Sequence, residues 1–471
     1  MNKTKVIATI GPNTCSKEMI KSFINNGVDC LRINMAHCNS DFCSDVIEKI
    51  NEVNKELRTY AAIMLDLKGP ALRVGEIIND AAFYKLNDKI RVYSEPILGD
   101  NTKFSIDYEN LIDDVFVGNI LKIDDGNVEL QVVDEDKDFL LCKVIKEGII
   151  RKNKGVNIPG VKINKKFLSD EDKRIIKFAH ENNVDFLALS YVSSEEDVLQ
   201  VNDMLINLDN DHIQLISKIE TAESLECIDN IIKMSDGIIV SRGDLGCEIA
   251  IERVPGIQKK IISKCLEKGK ISIVSTELMS TMANSNHPTR AEISDVANAV
   301  LDGTDAVMLS GETTVSNYPI ETLKLLERTI KAAEYDIDYD MMMDIAIKTE
   351  SNDTSGSLSY SVAMCANRLN CKAIFAPTIS GNTARKISRF KPLCPILAVS
   401  PDVKTVKSLT LNFGVYPVLI NDLKSFDSII EASKKIAIDY LELKEKDNII
   451  ITGGYPFKTV KHTNFMKIEE L

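Results

Sequence analysis

Two short stretches end in charge where burial would otherwise be complete. In LISKIETAES, residues 215–224, an apolar run closes on Lys218 and Glu220, two positions apart and therefore on one face of an extended strand. In GIIVSRGDLG, residues 237–246, a second apolar run closes on Arg242, Gly243 and Asp244. Glu220 and Asp244 are hard oxygen donors. Magnesium prefers one or two such carboxylates, with water and phosphate oxygens completing its octahedron. Lys218, a cation beside them, could stabilise charge on a transferring phosphoryl group. The chain has no GxxxxGK[ST] loop, so any nucleotide is held without that cradle.

Such groups must be carried to one place. Eight apolar, β-branched runs recur along the chain: KVIATIG (5–11), VDCLRIN (28–34), AAIMLDLKG (61–69), VDFLALSYV (184–192), IQLISKIE (213–220), GIIVSRGD (237–244), ISIVST (271–276) and DAVMLSGE (305–312). Amphipathic, helix-like segments separate most of them. Near-continuous apolar strands alternating with helices imply a parallel sheet covered on both faces. Eight in series favour a closed (β/α)8 TIM barrel over a doubly wound open sheet. In such a barrel the C-terminal strand ends open on one mouth. The polar residues there are Arg32 and Asn34, Asp66 and Lys68, Lys218 and Glu220, Asp244, Thr276 and Glu312. A single charged strand end is commonly a solvated edge or a structural ion pair. Six on one face, three cations mixed with acids, suit an anionic substrate held with a divalent metal.

The α/β pattern is interrupted twice. Residues 71–165 carry shorter strand-like pieces, NDKIRVYS, NILKIDD, GNVELQVVD and DFLLCKVI, which predict a small inserted β-barrel domain over the mouth. After residue 335, YDIDYDMMMDIAIKTESNDTSGS ends as a linker would, and α/β patterning then resumes. The expected organisation is a barrel over 1–70 and 166–344, a β lid over 71–165 and an open-sheet α/β domain over 345–471.

Composition narrows the function classes. The chain has 471 residues and a net charge of −13, with no long basic run, so nucleic-acid binding is not expected. No apolar stretch approaches membrane-spanning length, and no signal peptide opens the chain, so a cytoplasmic protein without membrane association is expected. The 11 cysteines include no CxxC pair, and the five histidines do not cluster, which argues against zinc sites and disulfide frameworks.

At these residues the chain resembles the pyruvate kinase family. The resemblance runs end to end: TKVIATIGP, LRINMAH, LDLKGP, KGVNIPGV, SKIE, RGDLG, HPTRAEISDVANAVLDGTDAVMLSGET and SGNTARKISRF stand in order. It implies phosphoryl transfer from phosphoenolpyruvate to ADP, giving pyruvate and ATP, with Mg2+ or Mn2+ as cofactor. It implies that Arg32 binds the phosphoryl group and Lys218 bridges it in the transition state. Glu220 and Asp244 would hold the metal, and the Gly243 and Asp244 amides the substrate carboxylate. Thr276 would support protonation of the enolate carbon. Asn34, Met35, Ala36, His37, Arg73 and Lys154 would contact the nucleotide, with Lys154 acting from the lid. A potassium site would use Asn34, Asp66 and the Leu67 carbonyl. A homotetramer is implied as well.

Several positions depart from the family pattern. Ala36 replaces a serine, Leu67 a threonine, Ala71 a glutamate, Glu277 a glutamine and Ser280 a glutamate. The potassium site is therefore expected to be weakened. In TISGNTARKISRF, Thr378, Ser380, Gly381 and Thr383 precede a helix, which suits either simple capping by Ser380 or Thr383 or a phosphate pocket. The resemblance favours a pocket for a phosphorylated allosteric effector. Two other readings stay open: a metal-dependent aldolase or lyase acting on phosphoenolpyruvate or pyruvate, and a catalytically silent regulatory relative.

Overall fold

The computed structural model describes residues 2–36, 38–210, 212–347, 353–420, 426–456 and 462–471. Eight parallel strands close into a barrel: β1 (Lys5–Thr9), β2 (Cys30–Asn34), β3 (Ala62–Asp66), β4 (Phe186–Leu189), β5 (Gln214–Ile219), β6 (Gly237–Ser241), β7 (Ile271–Ser275) and β8 (Ala306–Leu309). Each of the eight apolar runs supplies one strand, and the strands follow chain order around the ring.

Their double burial has a simple origin. Alternate side chains, among them Cys30, Met64, Ala188, Ile216, Ile239 and Ile273, fill the barrel interior. The intervening ones, among them Leu31, Leu65, Leu187, Leu215 and Ile238, pack outward into a larger core with the helices. Because strand side chains alternate with period two, the inward face can be followed upward. Cys30 leads to Arg32, Met64 to Asp66, Ala188 to Ser190, and Ile216 to Lys218 and Glu220. The mouth is thus the polar continuation of the same inward rows.

Between β3 and β4 lies an all-β insert. Its seven-stranded sheet runs in the spatial order Leu72–Arg73, Gly155–Asn157, Ile120–Ile123, Val128–Glu135, Phe139–Lys146, Lys89–Tyr93 and Lys103–Ser105. A ribbon of Ala81–Tyr84 and Gly148–Arg151 shares its core through Tyr84 and Ile150. Six of these nine strands have two to four residues, and all of the six but Ile120–Ile123 are too short to show alternation in sequence. The insert leaves the barrel at Gly69, whose φ is +65° and where a Cβ would lie 2.6 Å from the Ser190 carbonyl oxygen, so a glycine is required. Asp172, in the capping box that starts the helix Asp170–Glu181, accepts from the amides of Lys68 at 3.0 Å and Gly69 at 3.3 Å. The return to the barrel is thereby fastened to the exit from β3.

The C-terminal sheet contains β9 (Ala373–Pro377), β10 (Ile396–Ser400), β11 (Val415–Leu419), β12 (Asn448–Gly453) and β13 (Phe465–Glu470), in the order β11-β10-β9-β12-β13. Only β13, which the sequence pattern did not announce, runs antiparallel. The stretch expected as a linker opens with the helix Tyr339–Ile347, and Asp353 caps the next helix, Thr354–Arg368, by accepting from the Gly356 amide at 2.6 Å. Residues 348–352 of that stretch lie outside the described residues. The C-terminal part meets the barrel's base. Leu411 joins the interior cluster, and the buried Lys391 ammonium stands 2.6 Å from Asp305, one residue before β8. Among the described residues no helix is long and apolar enough to cross a membrane.

Candidate active site

A cavity of about 250 Å³ opens at the C-terminal mouth. Of the expected site residues, Arg32, Asn34, Ala36, Asp66, Leu67, Arg73, Lys218, Glu220, Asp244 and Thr276 line it. Lys68 reaches its wall, but its ammonium pairs with Glu171 at 2.6 Å. A larger cleft of about 930 Å³ runs between the insert's return segment and the helix Glu195–Asn207, meeting the mouth at Tyr191. The smaller cavity collects the convergent charges.

Lys218 is the hub. Its Nζ lies 2.9 Å from Glu220 Oε1, 3.4 Å from Asp66 Oδ2 and 3.0 Å from Ser190 Oγ. Arg32 grips the same Asp66 oxygen through Nε, at 3.1 Å, and Nη2, while Nη1 donates to Thr9 Oγ1 at 3.0 Å. Burial alone would raise the Asp66 carboxyl, but the charges of Arg32 and Lys218 outweigh it and hold it below the usual range. Burial would likewise lower the Lys218 ammonium, yet Asp66 and Glu220 more than reverse this, and it stays firmly protonated.

The two metal candidates stand apart electrostatically. Burial pushes the Glu220 carboxyl upward, with Lys218 opposing and Asp244 reinforcing. Burial raises Asp244 too, against Lys218 and with help from Asp125 of the insert. Glu220, buried just past the end of β5, and Asp244, half-buried in the first turn of the helix Arg242–Glu248 rather than at the end of β6, are thus short of positive charge, which a divalent cation would supply. Among the described residues no cluster of three or more histidine, cysteine or acidic side chains forms a protein cage. That fits magnesium held by two carboxylates with water and phosphate oxygens.

The loops beyond β4, β6 and β7 complete the site. Tyr191 has φ +57°; its amide donates to Glu220 Oε2 at 2.7 Å and its hydroxyl to Asp244 Oδ1 at 3.4 Å. Thr276 and Glu277 have φ +64° and +56°. Arg242 holds that bend, donating to the Thr276 carbonyl through Nη2 at 2.6 Å and Nε at 3.2 Å, and to Asp295 at 2.7 Å. Thr276 Oγ1 accepts from the Gly243 amide at 2.8 Å and donates to the Ser275 carbonyl at 2.7 Å. In this conformation the Gly243 amide expected for a substrate carboxylate is engaged by Thr276.

Other expected residues fall elsewhere. Glu312 is buried and accepts from the Ser310 and Met279 amides, so it braces loops. Met35 is buried, with Sδ 3.3 Å from Cys43 Sγ. Lys154 is paired with Asp124 at 2.6 Å within the insert and does not line the cavity, whereas Arg73 does, donating to the Asn153 carbonyl at 2.8 Å. Asn34 Oδ1 accepts from the Ala36 amide at 3.0 Å. His37 lies outside the described residues. Near β9, Gly381 caps the helix Asn382–Ser388, without a side-chain cap from Ser380 or Thr383. Thr378 Oγ1 accepts from the Gly381 amide at 2.9 Å, and the Thr383 hydroxyl pairs with that of Thr463 at 2.9 Å.

Sequence reasoning passed over Ser190, Tyr191 and the clamp made by Arg242. The signal for the first two was present: LALSYV ends in polar residues at the same height as the other strands, but uncharged ones. Arg242 was visible as a charge, not as a brace.

Comparisons with known proteins give the family of the chain. The family description "Pyruvate kinase, barrel domain" matches residues 1–323, and "Pyruvate kinase, alpha/beta domain" matches residues 356–469. The chain is 40% identical over 474 residues to a pyruvate kinase of Clostridium perfringens, covering all of both chains. It is 39% identical to one of Staphylococcus aureus, covering 99% of this chain and 80% of that protein. A solved pyruvate kinase of Cryptosporidium parvum superposes with a TM-score of 0.93 at 32% identity, covering 100% of this chain and 96% of the other. The chain belongs to the pyruvate kinase family.

Proposed function

We propose that the chain transfers the phosphoryl group of phosphoenolpyruvate to ADP, giving pyruvate and ATP. The observation that carries this reading is the buried Lys218 ammonium, held between Asp66, Ser190 and Glu220 at the base of a cavity that also presents Arg32 and Asp244. Lys218 and Arg32 bind the phosphoryl oxygens, and Lys218 follows the charge that develops as the group leaves the enolate oxygen. Because both cations are fixed by carboxylates before substrate arrives, little reorganisation is needed at the moment of transfer. Glu220 and Asp244 would hold magnesium, which when bound supplies positive charge to the phosphoryl oxygens. Substrate carboxylate displaces Thr276 Oγ1 from the Gly243 amide, and the released hydroxyl orients the proton donor for the enolate carbon. Asn34, Met35, Ala36, His37 and Arg73 contact the nucleotide from the barrel side. Lys154 joins them once the insert closes and its pairing with Asp124 is exchanged for phosphate.

Potassium binding at Asn34, Asp66 and Leu67 is supported less. Asp66 already has its counter-charge from Arg32 and Lys218. A phosphorylated effector at Thr378, Ser380, Gly381 and Thr383 is supported by the exposed Ser380. Replacing Ser380 and Thr383 by alanine is expected to abolish activation by such an effector while sparing saturated turnover. The family resemblance also supports a homotetramer, which sedimentation velocity would test, and a cytoplasmic location.

The reaction is tested by coupling pyruvate formation to NADH oxidation through lactate dehydrogenase, with phosphoenolpyruvate, ADP and magnesium. Pyruvate formation that requires ADP and yields ATP in equal amount is the expected result. Absence of turnover, or pyruvate formed without ATP, overturns the reading.

A further inference from the structure

We propose that the hydrogen bond between Asn157 and Glu248 is the fulcrum on which the insert turns, which makes Glu248 a positioning residue for nucleotide binding. Asn157, buried in the strand Gly155–Asn157, donates through Nδ2 to Glu248 Oε1 at 2.8 Å. Glu248 closes the helix Arg242–Glu248, whose first turn carries Gly243 and Asp244.

Three observations converge on this pair. First, it stands alone. Among the described residues it is the one hydrogen bond or ion pair that joins residues 71–165 to the barrel, and no strand pairing crosses between them. Glu248 makes no ion pair among the described residues; burial raises its carboxyl, with Asn157 and Lys122 opposing. Secondly, the bond is bordered by open space. Glu248 lines the cleft of about 930 Å³ and also a separate cavity of about 380 Å³, which lies between Ile120, Lys122 and Pro159 of the insert and Ile249 and Ala250 of the barrel. It is the one lining residue that the two share. The insert's core and the barrel's core have no residue in common, so turning the insert about this bond unpacks neither and redistributes open volume between the two cavities.

Thirdly, the pair links the groups that closure must bring together. Glu248 follows Asp244 by four positions, on the same helix face and about 6 Å along the axis. Asn157 follows Lys154 by three positions, about 10 Å along an extended chain. That end is held firmly, because the Asp124 amide donates to the Gly155 carbonyl at 3.0 Å while Lys154 pairs with Asp124. A single hydrogen bond sets a distance and leaves an angle free. Here it sets the height of Lys154 relative to Asp244 and lets the insert tilt. Without it the insert samples orientations in which Lys154 misses the nucleotide, and apparent affinity falls with the fraction of molecules correctly oriented. Phosphoenolpyruvate, held by Arg32 and Lys218 of the barrel, is bound as before. The inference rests on the proposed contact of Lys154 with nucleotide and, for its kinetic arm, on the proposed reaction.

Steady-state kinetics and calorimetry with ADP at saturating magnesium, both on the full chain, test it. Glu248→Ala is expected to raise the KM for ADP and to weaken magnesium–ADP binding, each by roughly tenfold, the worth of one hydrogen bond to a charged group. The KM for phosphoenolpyruvate and the kcat should stay within about twofold, as expected when binding of one substrate alone is lost. Asn157→Ala should match it, and the double variant should be no weaker than either single one, because both remove the same bond. Glu248→Gln keeps the acceptor oxygen and should bind magnesium–ADP within about twofold of wild type. A merely structural role would lower Tm without this split between substrates and without the rescue. Unchanged ADP affinity in both alanine variants, additive losses in the double variant, or equal losses in Glu248→Gln and Glu248→Ala each overturns the fulcrum. If wild type binds magnesium–ADP but forms no pyruvate, the catalytic reading fails and the binding comparison still decides the fulcrum; if wild type binds no magnesium–ADP at millimolar concentration, both fall.

Discussion

Replacing Lys218 by methionine separates catalysis from folding. The side chain is 11% exposed, and its ammonium meets Glu220 at 2.9 Å and Asp66 at 3.4 Å. Breaking a buried pair by removing one partner commonly costs about 3–5 kcal/mol. Two features reduce the loss here. Arg32 remains on Asp66, and Glu220, whose carboxyl is already raised, can take up a proton once Lys218 is gone. Methionine also refills most of the volume. A destabilisation of about 1–3 kcal/mol is therefore expected, a fall in Tm below roughly 10 °C. Catalysis has no such relief, because among the described residues Lys218 is the cation that bridges Asp66, Ser190 and Glu220, whereas Arg32 reaches Asp66 and Thr9. Losing one preorganised charge contact costs roughly 10²- to 10³-fold in kcat, and a full ammonium at the phosphoryl group should reach at least that. The assay is the coupled reaction at saturating phosphoenolpyruvate, ADP and magnesium, with thermal melts alongside. Turnover within about tenfold of wild type in a folded Lys218→Met protein would refute the transition-state role.

Three further outcomes are expected. Glu220→Gln and Asp244→Asn should each raise the half-saturating magnesium concentration by at least the roughly 10- to 100-fold that loss of an outer-shell partner costs; an unchanged magnesium titration in either would move the metal elsewhere. Arg242→Ala should lower both stability, by about 2–3 kcal/mol, and turnover, because the left-handed bend at Thr276 and Glu277 loses its charge-assisted clamp; a melt and kcat matching wild type would show the clamp to be idle. Potassium titrated against tetramethylammonium at constant ionic strength should reveal reduced but measurable activity without potassium, and Ala36→Ser should lower the half-saturating concentration; a flat titration means Arg32 and Lys218 alone neutralise Asp66.

The barrel and the height of its chemistry are legible in the residues alone. Strands buried on both faces must read as continuous apolar runs, and parallel strands in one ring all point the same way, so polar residues at their ends had to arrive at one mouth. Arg32, Asp66, Lys218, Glu220 and Asp244 were legible for that reason. Tertiary structure decided which strand-end groups converge and which are used for support. Beyond the last strand residue the period-two rule lapses: positive φ at Tyr191 and Thr276 turns the chain, so neither Tyr191's hold on Glu220 nor Thr276's on the Gly243 amide follows from spacing. Glu312 and Lys68 looked equivalent to Glu220 and Lys218, yet one braces loop amides and the other pairs with a helix distant in sequence. Short strands of the insert and antiparallel β13 were hidden because pairing partners, not their own residues, make them strands. A cavity at the barrel's base lay deeper still, since its two walls, residues 214–271 and 353–412, are far apart in sequence and only docking of the C-terminal sheet brings them face to face.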